Sequence, residues 1–148
     1  MEELFTEDDR QYISLLQQNV DRMASNRANA KLWLATLATA IAALQFSIEG
    51  EIVIWLAVLL VLVFYVMDCL YLSLERKYLH LMQKYVTLCK EGDEEGRKQM
   101  LYNFDISKVK DDRTTFWQSM ISRNTLPFYL ILFLAALAIS IWSLIAIH

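Results

Sequence analysis

The chain has little of what a compact soluble enzyme is usually built from. Its 148 residues include three glycines, one proline, two cysteines and two histidines. Three glycines are too few for a phosphate-binding glycine loop, and neither a nucleophile elbow nor an H-E-x-x-H sequence occurs. Cys69 and Cys89 form no C-x-x-C or Cys/His cluster, which argues against a zinc site or a disulfide framework. We therefore predict that the protein is not an enzyme and uses no cofactor.

Positive charge is also missing from long parts of the chain. All fourteen lysines and arginines lie either before residue 32 or between residues 76 and 123. The formal net charge is only −3, so no overall basic field is available to attract nucleic acid. We therefore expect no nucleic-acid partner.

What the sequence does contain is apolar residues, at 56% of the chain, gathered in three blocks. A helix needs about 20 residues to cross a hydrocarbon core of about 30 Å. The blocks predict transmembrane spans at 32–48, 52–72 and 125–148. Three buried helices of a soluble protein are the alternative, but so small a soluble fold rarely needs three helices that are apolar on every face.

These spans divide the chain into four segments of an all-α integral membrane protein. The prediction is a cytoplasmic amphipathic helix at 1–31 and a transmembrane hairpin at 32–74, with its outer turn at 49–51. A cytoplasmic helix, an acidic loop and an interfacial helix then occupy 75–124, before the third transmembrane helix at 125–148. Because lysine and arginine collect on the cytoplasmic side, the N-terminus is expected inside and the C-terminus outside.

The predicted cytoplasmic extensions carry apolar stripes at heptad-like spacing, which is typical of helices that pack along a seam. The stripes are Ile13, Leu16, Val20 and Met23, and then Tyr71, Leu74, Tyr78, Leu81, Tyr85 and Leu88. We expect the two extensions to pair as an antiparallel cytoplasmic stalk. Five cations are predicted on its outer face: Arg22, Arg27, Arg76, Lys77 and Lys84. They serve either as a solvated face attracted to anionic lipid or as a receptor surface for an anionic signal such as a nucleotide.

The first span differs from the second because it is rich in small residues. Ala35, Thr39 and Ala43 form a small-xxx-small row, and Thr36 lies beside it. Small residues let helix backbones approach closely in lipid. We expect this face to pack against the third span or against another copy of the chain, and in an oligomer to line a pore.

Asp68 is an isolated acid within the apolar run that follows the outer turn. Counting back through the turn at Gly50 puts Lys31 at about the same depth, near the inner edge of the bilayer. Two interpretations stay open: an ion pair between Lys31 and Asp68 that sets the hairpin register, or a gate at which Asp68 faces a pore or another subunit.

The helix containing "VDRMASNRANAKLWL", the tight hairpin and the long second helix resemble the small SLATT-like two-transmembrane effectors of bacterial antiphage systems. The third span departs from the simplest two-span pattern. The resemblance implies a homo-oligomeric, membrane-disrupting or pore-forming effector in the bacterial inner membrane. Its implied partners are the lipid bilayer, other copies of the chain, and a cytoplasmic protein or nucleotide signal. The alternatives are a membrane anchor for a soluble cytoplasmic partner and, less favoured, a small transporter.

Overall fold

Two long helices dominate the protein. The computed structural model describes residues 5–45, 51–109, 114–123 and 125–147. In chain order, the helices are α1 (Glu7–Gln45), α2 (Glu51–Glu91), α3 (Glu94–Met100), α4 (Phe116–Met120) and α5 (Leu126–Ile147), and a 3₁₀ turn (Ile106–Lys108) precedes α4. No strand occurs among these residues, so the all-α prediction is confirmed for this part of the chain.

Both long helices are uninterrupted because neither contains glycine or proline. At 39 and 41 residues, they are each about 60 Å long. α2 ends where Gly92 adopts a φ of 73°, a left-handed conformation that glycine takes at little cost. The amides of Gly92 and Asp93 donate to the carbonyls of Cys89 and Leu88, which is the Schellman pattern.

α1 and α2 lie antiparallel, since Tyr12 near the start of α1 contacts Tyr85 near the end of α2, while Leu34 packs with Val61. One apolar cluster lies at each end of the pair. The first is formed by Tyr12, Leu16, Leu81, Tyr85 and Cys89, and the second by Leu34, Val61 and Tyr129 of α5.

The seam on α2 runs along a different stripe from the predicted one. Leu81 and Tyr85 are buried in it, as expected, but further up the helix the buried positions include Asp68, Cys69 and Leu72. Tyr71 and Leu74 instead border a cleft beside Val109 and Thr114–Phe116. The physical reason is that α2 packs against α3, α4 and α5 as well as α1, so its apolar residues serve several contacts.

The predicted interfacial helix is shorter than expected. α4 is a single turn of five residues, and Trp117 within it and Ile121 directly after it are exposed. Thr115 precedes it without a side-chain cap. α5 follows and packs against α2 through Tyr129, which lies edge to face with Phe128 and contacts Tyr65.

One helix among the described residues is long and apolar enough to cross a membrane, the Trp55–Glu91 part of α2. The Leu126–Ile139 part of α5 is a shorter apolar helix. The three-span arrangement therefore stays a prediction. Of the predicted outer turn, residues 49 and 50 lie outside the described residues, whereas Glu51 begins α2.

Candidate functional site at the α1–α2 junction

The acid in the apolar run of α2 lies in the seam between the two long helices. Asp68 is fully buried, and its Oδ1 accepts a hydrogen bond from Arg27 Nε at 2.8 Å. Arg27 is itself only 14% exposed. A buried carboxylate needs such a partner because an isolated charge in an apolar interior is strongly unfavourable.

Two further charges complete a network around this pair. Arg27 Nη1 donates to Glu75 Oε2 at 2.9 Å, two turns further along α2. Lys31 Nζ lies 3.5 Å from Asp68 Oδ2 and 5.4 Å from the centre of the Phe128 ring. Two cations of α1 thus face two carboxylates of α2, and the network is formally neutral.

Tyr129 of α5 is buried beside this network, and its hydroxyl interacts with the Asp68 carboxylate. Lys31 supplies charge to Asp68 Oδ2 but no aligned hydrogen bond at 3.5 Å. Thr125 Oγ1 is also buried, and it has no hydrogen-bond partner among the described residues. The junction where α5 meets the pair of long helices is therefore partly polar.

Side chains of α2 also hold the segment around α4. Ser73 Oγ donates to the Thr114 carbonyl at 2.6 Å, and Tyr65 Oη donates to the Met120 carbonyl at 2.7 Å. Arg76 Nη2 donates to Ser122 Oγ at 3.2 Å. The connection to α5 is thus fixed to α2 chiefly through its backbone.

A second polar cluster lies where the start of α1 meets the end of α2. Asp9 is buried and accepts hydrogen bonds from Tyr85 Oη, at 2.6 Å, from Arg97 of α3, and from the amide and hydroxyl of Thr6. Burial alone would raise the pKa of Asp9, but the bonds from Tyr85 and Thr6 and the charge of Arg97 lower it below 3.8. Asp9 therefore stays ionised and ties α3 to both long helices.

Tyrosines surround this second cluster. Tyr12 packs edge to face on Tyr85 and donates to the Asn103 carbonyl at 2.5 Å. Burial raises the pKa of Tyr12 to about 12, and burial together with Asp9 raises the pKa of Tyr85. Both hydroxyls are therefore neutral donors at physiological pH.

The five predicted outer-face cations are not one surface. The placement of Arg27 there is corrected: it lies in the seam, because the buried Asp68 carboxylate must be paired there. Arg22 is exposed and donates to Asn19, and Arg76 contacts Ser122. Lys77 and Lys84 border two different clefts. Lys31 and Asp68, in contrast, are brought together.

The small-residue face of α1 is exposed. Ala35, Thr36, Thr39 and Ala43 all point away from α2, whose contacts lie on the side of Leu34 and Ile41. The hydroxyls of Thr36 and Thr39 donate to the carbonyls of Leu32 and Ala35 in the preceding turn. In a single chain, α5 does not cover this face within the described residues.

Sequence reasoning missed Arg27 as the principal partner of Asp68, although a signal was present. Arg27 precedes Lys31 by four residues, so both lie on one face of α1. It also missed the Asp9–Tyr85–Arg97 cluster, which gives no local signal because its members lie in three different helices.

The described residues contain no group of three or more His, Cys, Asp or Glu side chains that could hold a metal ion. No protein-family model matches the chain, and neither a curated protein nor a solved structure is significantly similar to it.

Proposed function

We propose that the protein is a non-enzymatic, multi-pass membrane protein that self-associates and permeabilises the bilayer under control of its cytoplasmic helices. In this proposal, three spans cross the membrane, with the N-terminus and residues 75–124 inside and the C-terminus outside. The apolar segment of α2 and the confinement of lysine and arginine to two regions support this arrangement.

The uncovered small-residue face of α1 is the observation that carries the proposal. In lipid, burying apolar surface gives no net drive for helix association, so close backbone packing and polar contacts must supply it. Ala35, Thr39 and Ala43 offer such a close approach, and the single chain leaves them exposed. Self-association through this face would bring several threonines together around an axis, where Thr36 and Thr39 could line a polar path.

Control of self-association through the stalk follows from the continuity of the two long helices. α1 and α2 run without a break from the Asp9–Tyr85 cluster to the apolar segments, so a change at the stalk reaches the small-residue face through rigid helices. The resemblance to SLATT-like effectors suggests antiphage defence in the bacterial inner membrane as the setting. A cytoplasmic protein or a nucleotide is the corresponding candidate trigger.

The decisive experiment combines the mass of the purified full-length chain in detergent with dye leakage from liposomes. Thr39→Leu, together with Ala35→Leu, fills the small-residue face, and we expect it to yield the monomer and to lose leakage. The matched control is Leu62→Ile on the exposed face of α2, which should keep both the self-association and the leakage. A wild-type chain that is monomeric and does not leak, with and without candidate triggers, contradicts the proposal. Stable co-purification of that monomer with a soluble protein would favour the membrane-anchor alternative.

A further inference from the structure

A cleft of about 720 Å³ lies between α2 and the described residues Val109, Thr114, Thr115 and Phe116. It is separate from the small-residue face and from the Arg27–Asp68 network. One wall is a stripe of α2 in which Met67, Leu70, Tyr71 and Leu74 are followed by Lys77. Phe116 of α4 contributes to the opposite wall. The cleft is therefore apolar along one part and cationic at one end.

The order of these residues matches the depth profile of a lipid monolayer. The stripe from Met67 to Lys77 is about 15 Å long. The proposed second span ends at residue 72, so Lys77 lies about 7.5 Å beyond the hydrocarbon edge along the helix, at the depth of the headgroups. Met67 and Leu70 then lie at the depth of the acyl chains, and each is at least one-third exposed.

Lys77 is available for an anion. It has no ion-pair partner among the described residues, whereas Lys31 and Arg97 each pair with an acid. The hydroxyl of Ser73 does not compete with Lys77 for the anion, since it already donates to the Thr114 carbonyl. This bond also fixes the distance between the two walls.

We propose that this cleft holds one anionic phospholipid of the inner monolayer, with its phosphate on Lys77 and the upper part of one acyl chain along Leu70 and Leu74. Charge complementarity selects an anionic headgroup, and the apolar wall selects a molecule with a chain over a soluble anion. The inference rests on the proposed membrane placement but does not depend on permeabilisation.

The test uses the full-length chain reconstituted in vesicles of equimolar phosphatidylglycerol and phosphatidylcholine. Flotation first reports whether the chain enters the membrane, and native mass spectrometry of the released protein then counts the phospholipids retained per chain. We expect one phosphatidylglycerol to be retained by the wild type. Lys77→Gln should weaken this retention about five-fold, as expected for the loss of one lysine beside an anionic lipid, and Lys77→Arg should preserve it.

Lys84→Gln is the matched control, because it removes the same charge from the same helix outside this cleft. Leu74→Trp is a second variant, which fills the apolar wall without changing charge and should also reduce retention. Equal retention by Lys77→Gln and Lys84→Gln would overturn the proposal, as would equal retention of phosphatidylcholine. Full displacement of the lipid by glycerol phosphate would identify a site for a soluble anion instead.

Two other outcomes separate this inference from the proposed function. A chain that does not float with vesicles of either lipid overturns both the membrane placement and the lipid site. A Lys77→Gln variant that loses a dimer and no lipid shows that a second copy occupies the cleft, which overturns the lipid site alone.

Discussion

Arg27 and Lys31 both reach Asp68, but they do so in different environments. Arg27 is largely buried and bonds two carboxylates, whereas the Lys31 side chain is 31% exposed and makes a longer contact. Removing one member of a buried pair leaves an uncompensated charge, while a partly exposed pair contributes little. The two cations should therefore differ in their contribution to stability.

We predict that Arg27→Met lowers the free energy of unfolding by about 3 kcal/mol. Lys31→Met should lower it by less than about 1 kcal/mol. Both losses can be measured by titrating the detergent-solubilised protein with SDS and following its helix content by circular dichroism. Combining Arg27→Met with Asp68→Leu should restore much of the loss, because no fully buried charge is then left unpaired. Equal losses for Arg27→Met and Lys31→Met would contradict the assignment.

The charge of Asp9 should make the stability of the folded chain depend on pH. Its pKa is lowered in the folded chain, so its stabilising contribution is complete above the unfolded value near 4 and is lost as the pH falls through the lowered folded pKa. Asp9→Asn should remove this acid-dependent component and cost about 2 kcal/mol at neutral pH, as expected for hydrogen bonds to a charged group.

Near-ultraviolet circular dichroism of the tyrosines around Asp9 reports this change. The wild type and the Asp9→Asn variant should differ at pH 7 and converge at the acid end of the titration. Glu7→Gln is the control, since Glu7 lies in the same helical turn but is exposed. A difference that persists unchanged in acid would refute the role of the Asp9 charge.

At the scale of the elements, α2 organises the chain because it packs against α1, α3, α4 and α5. Its contact with the segment around α4 depends on the hydroxyls of Ser73 and Tyr65, which bond backbone carbonyls. That attachment can therefore be weakened without touching the seam between α1 and α2.

We predict that Ser73→Ala speeds amide hydrogen exchange in residues 114–122 by about ten-fold, because a buried carbonyl loses its partner. Tyr65→Phe should act in the same direction near Met120. Exchange in the N-terminal half of α1 should be unchanged. Thr87→Ala serves as the control, since that hydroxyl bonds only within α2. Uniform exchange changes along the whole chain would instead indicate general destabilisation.

Some features of the helices could be predicted from the sequence, and others could not. Uninterrupted helices were predictable from the absence of glycine and proline, and the proximity of Lys31 to Asp68 was predictable from counting through Gly50. The attachment of residues 114–122 was not predictable, because carbonyl acceptors are common to every residue type. A helix before α5 was predicted, but its short extent was not, since amphipathic spacing alone does not set where a helix ends.

At the scale of the whole molecule, the two basic regions make the orientation testable. We expect Ser25→Cys, which is exposed on α1, to react with a membrane-impermeant maleimide only after the inner face is opened. A cysteine added after His148 should react in intact cells. The native Cys69 and Cys89 are buried, so background labelling should be low. The opposite labelling pattern would reverse the proposed topology.

The buried Arg27–Asp68 pair also has a consequence for biosynthesis. During translation α1 is complete before Asp68 is made, so both of its cations are already present when the acid leaves the ribosome. An unpaired charged acid within a lone inserting helix is unfavourable. Under the proposed placement, α1 and α2 would therefore enter the membrane together as a paired hairpin. The positive charges of α1 would neutralise Asp68 and so assist the insertion of α2.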